Sequence, residues 1–150
     1  MINITKNIET FTENFTDLFI KTGARKTEFA NNVGLKHSQI EPYLNGTIPI
    51  TSNVVKICDY FNCSIDFITG LSNDFNYPNL KKGFNQSCFY PEYERLLKLN
   101  HTNHFQLSKL NIVTETSLSL WKKGSLPKFE VLIAIAYELG GSIDKMLGRI

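Results

Sequence analysis

Apolar residues recur at helical spacing in short stretches along the chain, with polar or turn-forming residues between the stretches. Within residues 91–99, for example, Tyr93, Leu96 and Leu97 fall on one face of a helix. The later stretch FEVLIAIAYELGG is apolar almost all round, which predicts a central buried helix. The pattern as a whole predicts an all-α fold built from short helices.

One short pattern occurs twice, as SIDFITG at residues 64–70 and as SIDKMLG at residues 142–148, a shift of 78 positions. Without gaps, this shift aligns eight identical residues over 57 positions and superimposes mostly apolar or turn-forming residues elsewhere. Tyr43, for example, falls on Trp121. We interpret the chain as an internal duplication of one five-helix unit.

The duplication gives three predicted parts: a first domain over residues 1–73, a linker over 74–90 and a second domain over 91–150. The linker is polar and holds Gly and Pro, but its aromatic residues predict that it packs onto one of the units. Three residues are predicted to cap helices: Asn103 (with Gln106 three residues later), Thr114 and Ser142.

The stretch QLSKLNIVTETSLSLWKKGSLP resembles the helix-turn-helix core of the Cro/lambda-repressor (XRE-type) family. The resemblance covers residues 15–71 and 93–149, and the closing S-I-D-x-x-x-G of both copies is equally typical of that family. It implies an all-α fold class with two tandem five-helix lambda-repressor-like helix-turn-helix domains. In that family the second helix of the motif enters the major groove of DNA.

The resemblance implies DNA-binding residues in both copies. Candidate base readers lie at the start of each recognition helix: Lys36, His37, Ser38 and Gln39 in the first copy, and Thr114, Glu115, Thr116 and Ser117 in the second. Candidate phosphate contacts are Lys26, Asn45, His104, Lys122 and Lys123. The alternative interpretation, that these are exposed polar residues that only cap helices, stays open for each residue taken singly.

Two departures from the family pattern affect the recognition helices. Pro42 falls inside the first one, where it removes a backbone hydrogen bond and clashes with the carbonyl of Ser38, so this helix is expected to be kinked or to begin later. In the second copy Ile112 replaces the turn glycine, Gly34, and a β-branched residue disfavours positive φ. We therefore expect Asn111 to adopt the left-handed conformation there.

The charge differs between the halves of the chain. The whole chain carries +2, which residues 1–75 contribute as −2 (six Lys and Arg, eight Asp and Glu) and residues 76–150 as +4 (ten and six). Since neutralisation of phosphates supplies most non-specific affinity for DNA, the basic half is expected to anchor the protein.

Composition argues against several other classes of protein. The chain has no apolar run long enough to span a membrane and no apolar segment near its start, so we expect a cytoplasmic, nucleoid-associated protein. Its three cysteines, without CxxC spacing, predict free thiols and no metal site. No catalytic motif occurs, so neither enzyme activity nor a cofactor is expected.

Two functional hypotheses follow. The first is a sequence-specific DNA-binding transcriptional regulator, a repressor with two readers in one chain, comparable to regulators of phages and mobile elements. The second is a protein-interaction module on the same fold that binds or masks another regulator, favoured by the acidic first unit and by Pro42. A protein that binds DNA through its second unit and a partner through its first fits both, and homodimerisation of whole chains is left open.

Overall fold

The computed structural model describes residues 3–150 and forms ten α-helices, with no β-strand in that range. In chain order the helices are α1 (Thr5–Thr22), α2 (Lys26–Val33), α3 (His37–Leu44), α4 (Thr51–Phe61), α5 (Ile65–Ile68), α6 (Phe89–Leu99), α7 (His104–Lys109), α8 (Ser117–Lys122), α9 (Phe129–Leu139) and α10 (Ile143–Met146). A 3-10 turn, Gln86–Cys88, precedes α6. The all-α prediction is confirmed.

The helices occur at matching places in the two copies. Helices α9 and α10 begin and end 78 residues after α4 and α5, whereas the first three helices of each copy differ in length. The helical pattern therefore follows the duplication most closely at its C-terminal end. The division into lambda-repressor-like domains over 1–73 and 91–150 stays a prediction, and the first two residues lie outside the described part of the chain.

Each copy builds its core around a matching set of aromatic rings. Phe11 stacks on Phe15 with ring centroids 6.0 Å apart, and Phe89 stacks on Tyr93 at 5.6 Å, at the equivalent positions. An edge-to-face ring completes each set: Tyr43 against Phe15 at 6.2 Å, and Trp121 against Tyr93 at 5.2 Å. The predicted central helix α9 is also buried along most of its length. These rings pack α3, which carries Tyr43, against α1, and α8, which carries Trp121, against α6.

The repeated S-I-D-x-x-x-G pattern begins with a local helix cap. The Ser64 side chain accepts a hydrogen bond from the backbone N–H of Phe67 (2.9 Å), and Ser142 accepts one from Lys145 (3.1 Å), so each serine caps its own short helix. The predicted cap at Ser142 is confirmed. The isoleucine that follows each serine is fully buried. In each copy, the serine of the pattern thus caps the start of the short helix, and the isoleucine packs that helix into the core.

The aspartates of the pattern join the two copies. Asp144 accepts hydrogen bonds from the backbone N–H groups of Ile65 (3.1 Å) and Asp66 (2.9 Å), at the start of α5. In return Asp66 accepts from the N–H of Ile143 at 2.7 Å and from the Ser142 hydroxyl, at the start of α10. Each carboxylate therefore satisfies free N–H groups of the other copy's helix. The pair forms a reciprocal cap with pseudo-twofold symmetry, which we call the aspartate cross-cap.

A buried arginine makes the cross-cap asymmetric. Arg149 is fully buried, and its Nε donates to Asp144 (3.0 Å) while its Nη1 donates to Asp59 (2.7 Å). Asp66 has no such cation, because Leu71 is the first-copy equivalent of Arg149, and it accepts instead from the Tyr77 hydroxyl (2.8 Å). Burial raises the pKa of the Asp66 carboxyl to about 6, and the Asp144 carboxylate adds to the rise.

The last position of the repeated pattern, Gly70 in one copy and Gly148 in the other, requires glycine for the same physical reason. Gly70 and Gly148 have φ of +77° and +72°, and a Cβ added to them would lie 2.9 Å from Thr10 and 2.8 Å from Cys88, respectively. Thr10 and Cys88 are themselves 78 residues apart. Both copies thus need a residue that adopts a left-handed conformation and leaves room for a close neighbour.

Replacing Gly70 with alanine is expected to lower the free energy of unfolding more than the same change at Gly23. Both have positive φ, +77° and +66°, which costs alanine about 1–2 kcal/mol. Only Gly70 also meets a close neighbour, for which overpacking adds about 1–3 kcal/mol. Urea unfolding followed by circular dichroism measures both variants, and equal losses would contradict the steric role of Thr10.

The segment between α5 and α6 is held by backbone hydrogen bonds to both copies. Phe75 O accepts from Ser64 N (2.7 Å) in the first copy, while Lys81 N and Asn85 N donate to Arg149 O (2.7 Å) and Leu147 O (2.8 Å) in the second. The linker therefore packs, as predicted, but it is bonded to both copies and not to one unit alone.

Within residues 3–150, no helix combines the length and apolar character needed to cross a bilayer.

Candidate nucleic-acid interface

The start of α3 presents three of its four predicted base readers to solvent. Lys36, His37 and Ser38 are exposed, and Lys36 occupies the N-cap position just before the helix. Gln39 is only half-exposed, and its side-chain carbonyl accepts from the N–H of Lys36 at 3.0 Å. A bidentate contact with adenine needs both the carbonyl and the amide of a glutamine. The Gln39 carbonyl is therefore already engaged at the start of the helix, and the side chains of Lys36 and His37 are the more exposed candidates.

Pro42 does not delay the helix. α3 begins at His37, within one residue of the predicted start, and continues through Pro42 to Leu44. Of the two expected effects of Pro42, the later start is therefore wrong, and a kink stays a prediction. Because proline has no N–H, the carbonyl of Ser38 lacks the donor that would face it in an ordinary helix. Ser38 is exposed, so water can satisfy that carbonyl.

One carboxylate engages both phosphate candidates of the first copy. Lys26 forms an ion pair with Glu41, and the Asn45 amide donates to the same side chain at 3.2 Å. The hydrogen bond from Lys26 is the main reason that the pKa of Glu41 lies below its ordinary value. All three side chains are exposed, so the pair is weak and screened by salt. Glu41 nevertheless offsets the positive charge of Lys26 at this edge of α3.

The second copy's tip is a turn followed by a shorter helix. Thr114, Glu115 and Thr116 are exposed, but the first helical residue is Ser117, whose hydroxyl donates to the carbonyl of Thr114 (2.6 Å). The prediction that Thr114 caps the helix is wrong. The turn before it contains Asn111 at φ +59°, as expected from the replacement of the glycine. The tip consequently offers its polar side chains from a turn, held by its own hydrogen bonds.

His104 lies inside the protein. Its side chain is almost fully buried, packed edge-to-face against Trp121, with Nδ1 2.7 Å from the Tyr93 hydroxyl and Nε2 2.8 Å from the carbonyl of Thr114. The expectation of a solvated histidine at the helix start is therefore wrong. Both ring nitrogens are used internally, which leaves no free ring N–H for a phosphate. Instead His104 positions the tip by holding Thr114.

Lys122 and Lys123 lie at the exposed C-terminal end of α8. Lys122 is the last residue of α8, Lys123 is its C-cap, and both are exposed. Among residues 3–150, the ion pairs involve other side chains. These two ammonium groups therefore contrast with Lys26, which has Glu41 beside it. Like Lys36 in the first tip, they are exposed cations that form no ion pair among the described residues.

The segments that follow the two recognition helices line one groove. Residues 48–51, between α3 and α4, face residues 126–130, between α8 and α9. The two sets are 78 positions apart, so equivalent parts of both copies face each other in this groove. Sequence reasoning missed this groove, although the shared Pro49 and Pro127 marked the two segments as equivalent.

Metal and thiol chemistry find no support among the described residues. No group of three His, Cys, Asp or Glu side chains in residues 3–150 is arranged to hold a metal ion. The three cysteines are free, and Cys58 and Cys63 are buried in the core.

Comparison of the chain with known protein families, with curated proteins and with solved structures finds no match.

Proposed function

We propose that this protein is a sequence-specific DNA-binding transcriptional regulator that acts as a repressor, with two lambda-repressor-like helix-turn-helix readers in one chain. One observation carries the proposal. Each copy presents an exposed polar tip at the equivalent place in its sequence, Lys36–Ser38 and Thr114–Thr116, and the segments that follow both recognition helices meet at one groove. Paired helix-turn-helix readers reach successive major grooves through a twofold arrangement, and the proposal assigns that arrangement to the two tips.

The charges around the tips support an unequal division of work. Lys122 and Lys123 supply free cations beside the second tip, whereas Glu41 offsets Lys26 beside the first. Phosphate contacts therefore come mainly from the second copy, and the first copy contributes base contacts through Lys36 and His37. Repression follows from occupancy of a promoter and needs no further activity of the chain.

A second candidate function is supported by the neutralised edge of the first copy. A surface whose phosphate-binding cation is already paired with Glu41 suits a protein partner better than DNA. On this alternative the chain binds or masks another regulator through its first copy. The second copy either binds DNA or extends the same protein interface.

Binding to duplex DNA measured as a function of salt tests the proposal. We expect the logarithm of the association constant to fall linearly with the logarithm of salt concentration, with a slope near −0.9 for each phosphate contacted. Fluorescence anisotropy of a labelled random duplex, from about 50 to 200 mM salt, measures the slope. A protein-interaction module predicts no measurable retention of the duplex at any salt concentration in this range.

A further inference from the structure

The two tips differ in hydrogen-bonding character at equivalent positions. His37 and Glu115 occupy the same place in the two copies, 78 residues apart, and both are exposed. An imidazole can donate a hydrogen bond, whereas a carboxylate can only accept. The neighbouring pair shows the same contrast, since Lys36 only donates and Thr114 carries a hydroxyl. The tips therefore offer different hydrogen-bonding groups at equivalent sequence positions, from a helix start in the first copy and from a turn in the second.

The cross-cap holds the two unlike tips of each molecule in one arrangement. Asp66 and Asp144 bind the opposite copy's helix, and Arg149 ties Asp144 to Asp59 of the first copy. These contacts are buried and bonded from both sides, so the two copies are oriented as one unit. A homodimeric regulator would present two identical tips, which select a palindrome. This chain presents two unlike tips in a fixed order.

We propose that the DNA target is a non-palindromic pair of unlike half-sites in a fixed orientation. The half-site under the first tip carries guanine, which accepts hydrogen bonds from Lys36 and His37, at the position where the other carries cytosine, whose amine donates to Glu115. This inference rests on the proposed function and specifies its ligand. The protein consequently has a direction on DNA, with its basic second copy over the cytosine-bearing half.

Selection of the full-length protein on random duplex DNA tests the proposal. We expect enrichment of two unlike half-sites at one spacing, with a discrimination of about five- to hundredfold at each contacted base. A palindrome, or a single half-site, would overturn the proposal and leave DNA binding intact. Absence of any enriched motif, together with no salt-sensitive retention of duplex, would overturn the proposed function as well.

A variant that makes the tips alike sharpens the test. Thr114→Lys with Glu115→His gives the second tip the residues of the first, and both side chains are exposed, so folding is expected to be unaffected. The motif selected by this variant should change towards an inverted repeat of the first half-site. Glu94→Lys, an exposed change of equal charge on α6, is the matched control and should select the original motif. An unchanged second half-site in the double variant would overturn the assignment of Glu115.

Discussion

Replacing Asp144 with alanine is expected to lower the free energy of unfolding by about 3–5 kcal/mol, because it breaks a buried charge pair on one side only. Asp144 is fully buried and accepts from Ile65 N, Asp66 N and Arg149 Nε. Its loss leaves two backbone donors and part of a buried guanidinium without partners. Denaturant unfolding followed by circular dichroism and by the fluorescence of the single tryptophan, Trp121, measures the change.

Asp17→Ala is the matched control, since Asp17 is exposed on α1 and its removal should change stability by less than about 0.5 kcal/mol. Equal effects at Asp17 and Asp144 would contradict the cross-cap. A second variant tests the ion pair: Asp144→Ala combined with Arg149→Met removes both partners of the Asp144–Arg149 pair, leaves the partly exposed Asp59 without this cation, and should recover part of the loss. A double variant that is no more stable than Asp144→Ala alone would assign the whole loss to the two N–H groups of α5.

The sequence predicted what depends on local structure. The cap at Ser142, the cap at Asn103 and the left-handed Asn111 each involve residues close together in the chain, and the structure confirms all three. Helical periodicity likewise predicted the all-α fold and the buried α9. Such features depend on backbone sterics and on hydrogen bonds within one turn, which a single sequence displays directly.

The same sequence did not reveal contacts made across the fold. An aspartate in the first turn of a helix is an ordinary favourable residue there, so nothing local distinguished Asp66 and Asp144 from a pair of solvated acids. Arg149 likewise has no local sign of burial, since the carboxylates that pair with it are Asp59 and Asp144. The only signal was that Asp66 and Asp144 are 78 positions apart. This repetition indicated that the two aspartates share a role, but not which groups they bind.

The candidate interface shows the same division. Sequence placed polar residues at both tips, but not the internal hydrogen bonds that set which of them are free. His104 is buried because Tyr93 and Trp121 surround it, and Gln39 is engaged because Lys36 N needs an acceptor. Residue type thus predicted the polar chemistry of the two tips, whereas packing determined which of these side chains remain free to bind a ligand.

Reversing the charge of Lys122 and Lys123 together is expected to weaken binding to duplex DNA by on the order of a hundredfold at about 0.1 M salt. These exposed ammonium groups lie at the C-terminal end of α8 and form no ion pair among the described residues, and each phosphate contact contributes about tenfold at that salt. The slope of affinity against salt should also fall in magnitude by about 2, one for each lost contact. Anisotropy titrations of Lys122→Glu with Lys123→Glu at several salt concentrations measure both quantities.

The control for this variant makes the same change in net charge away from the tips. Lys21 and Lys98 are exposed in the last turns of α1 and α6, so Lys21→Glu with Lys98→Glu alters the overall field equally. Since phosphate contacts act at short range and the general field is screened within about 10 Å at 0.1 M salt, the control should lose far less affinity. If both double variants weaken binding alike, net charge alone holds the protein on DNA; if neither does, the second copy is not the anchor.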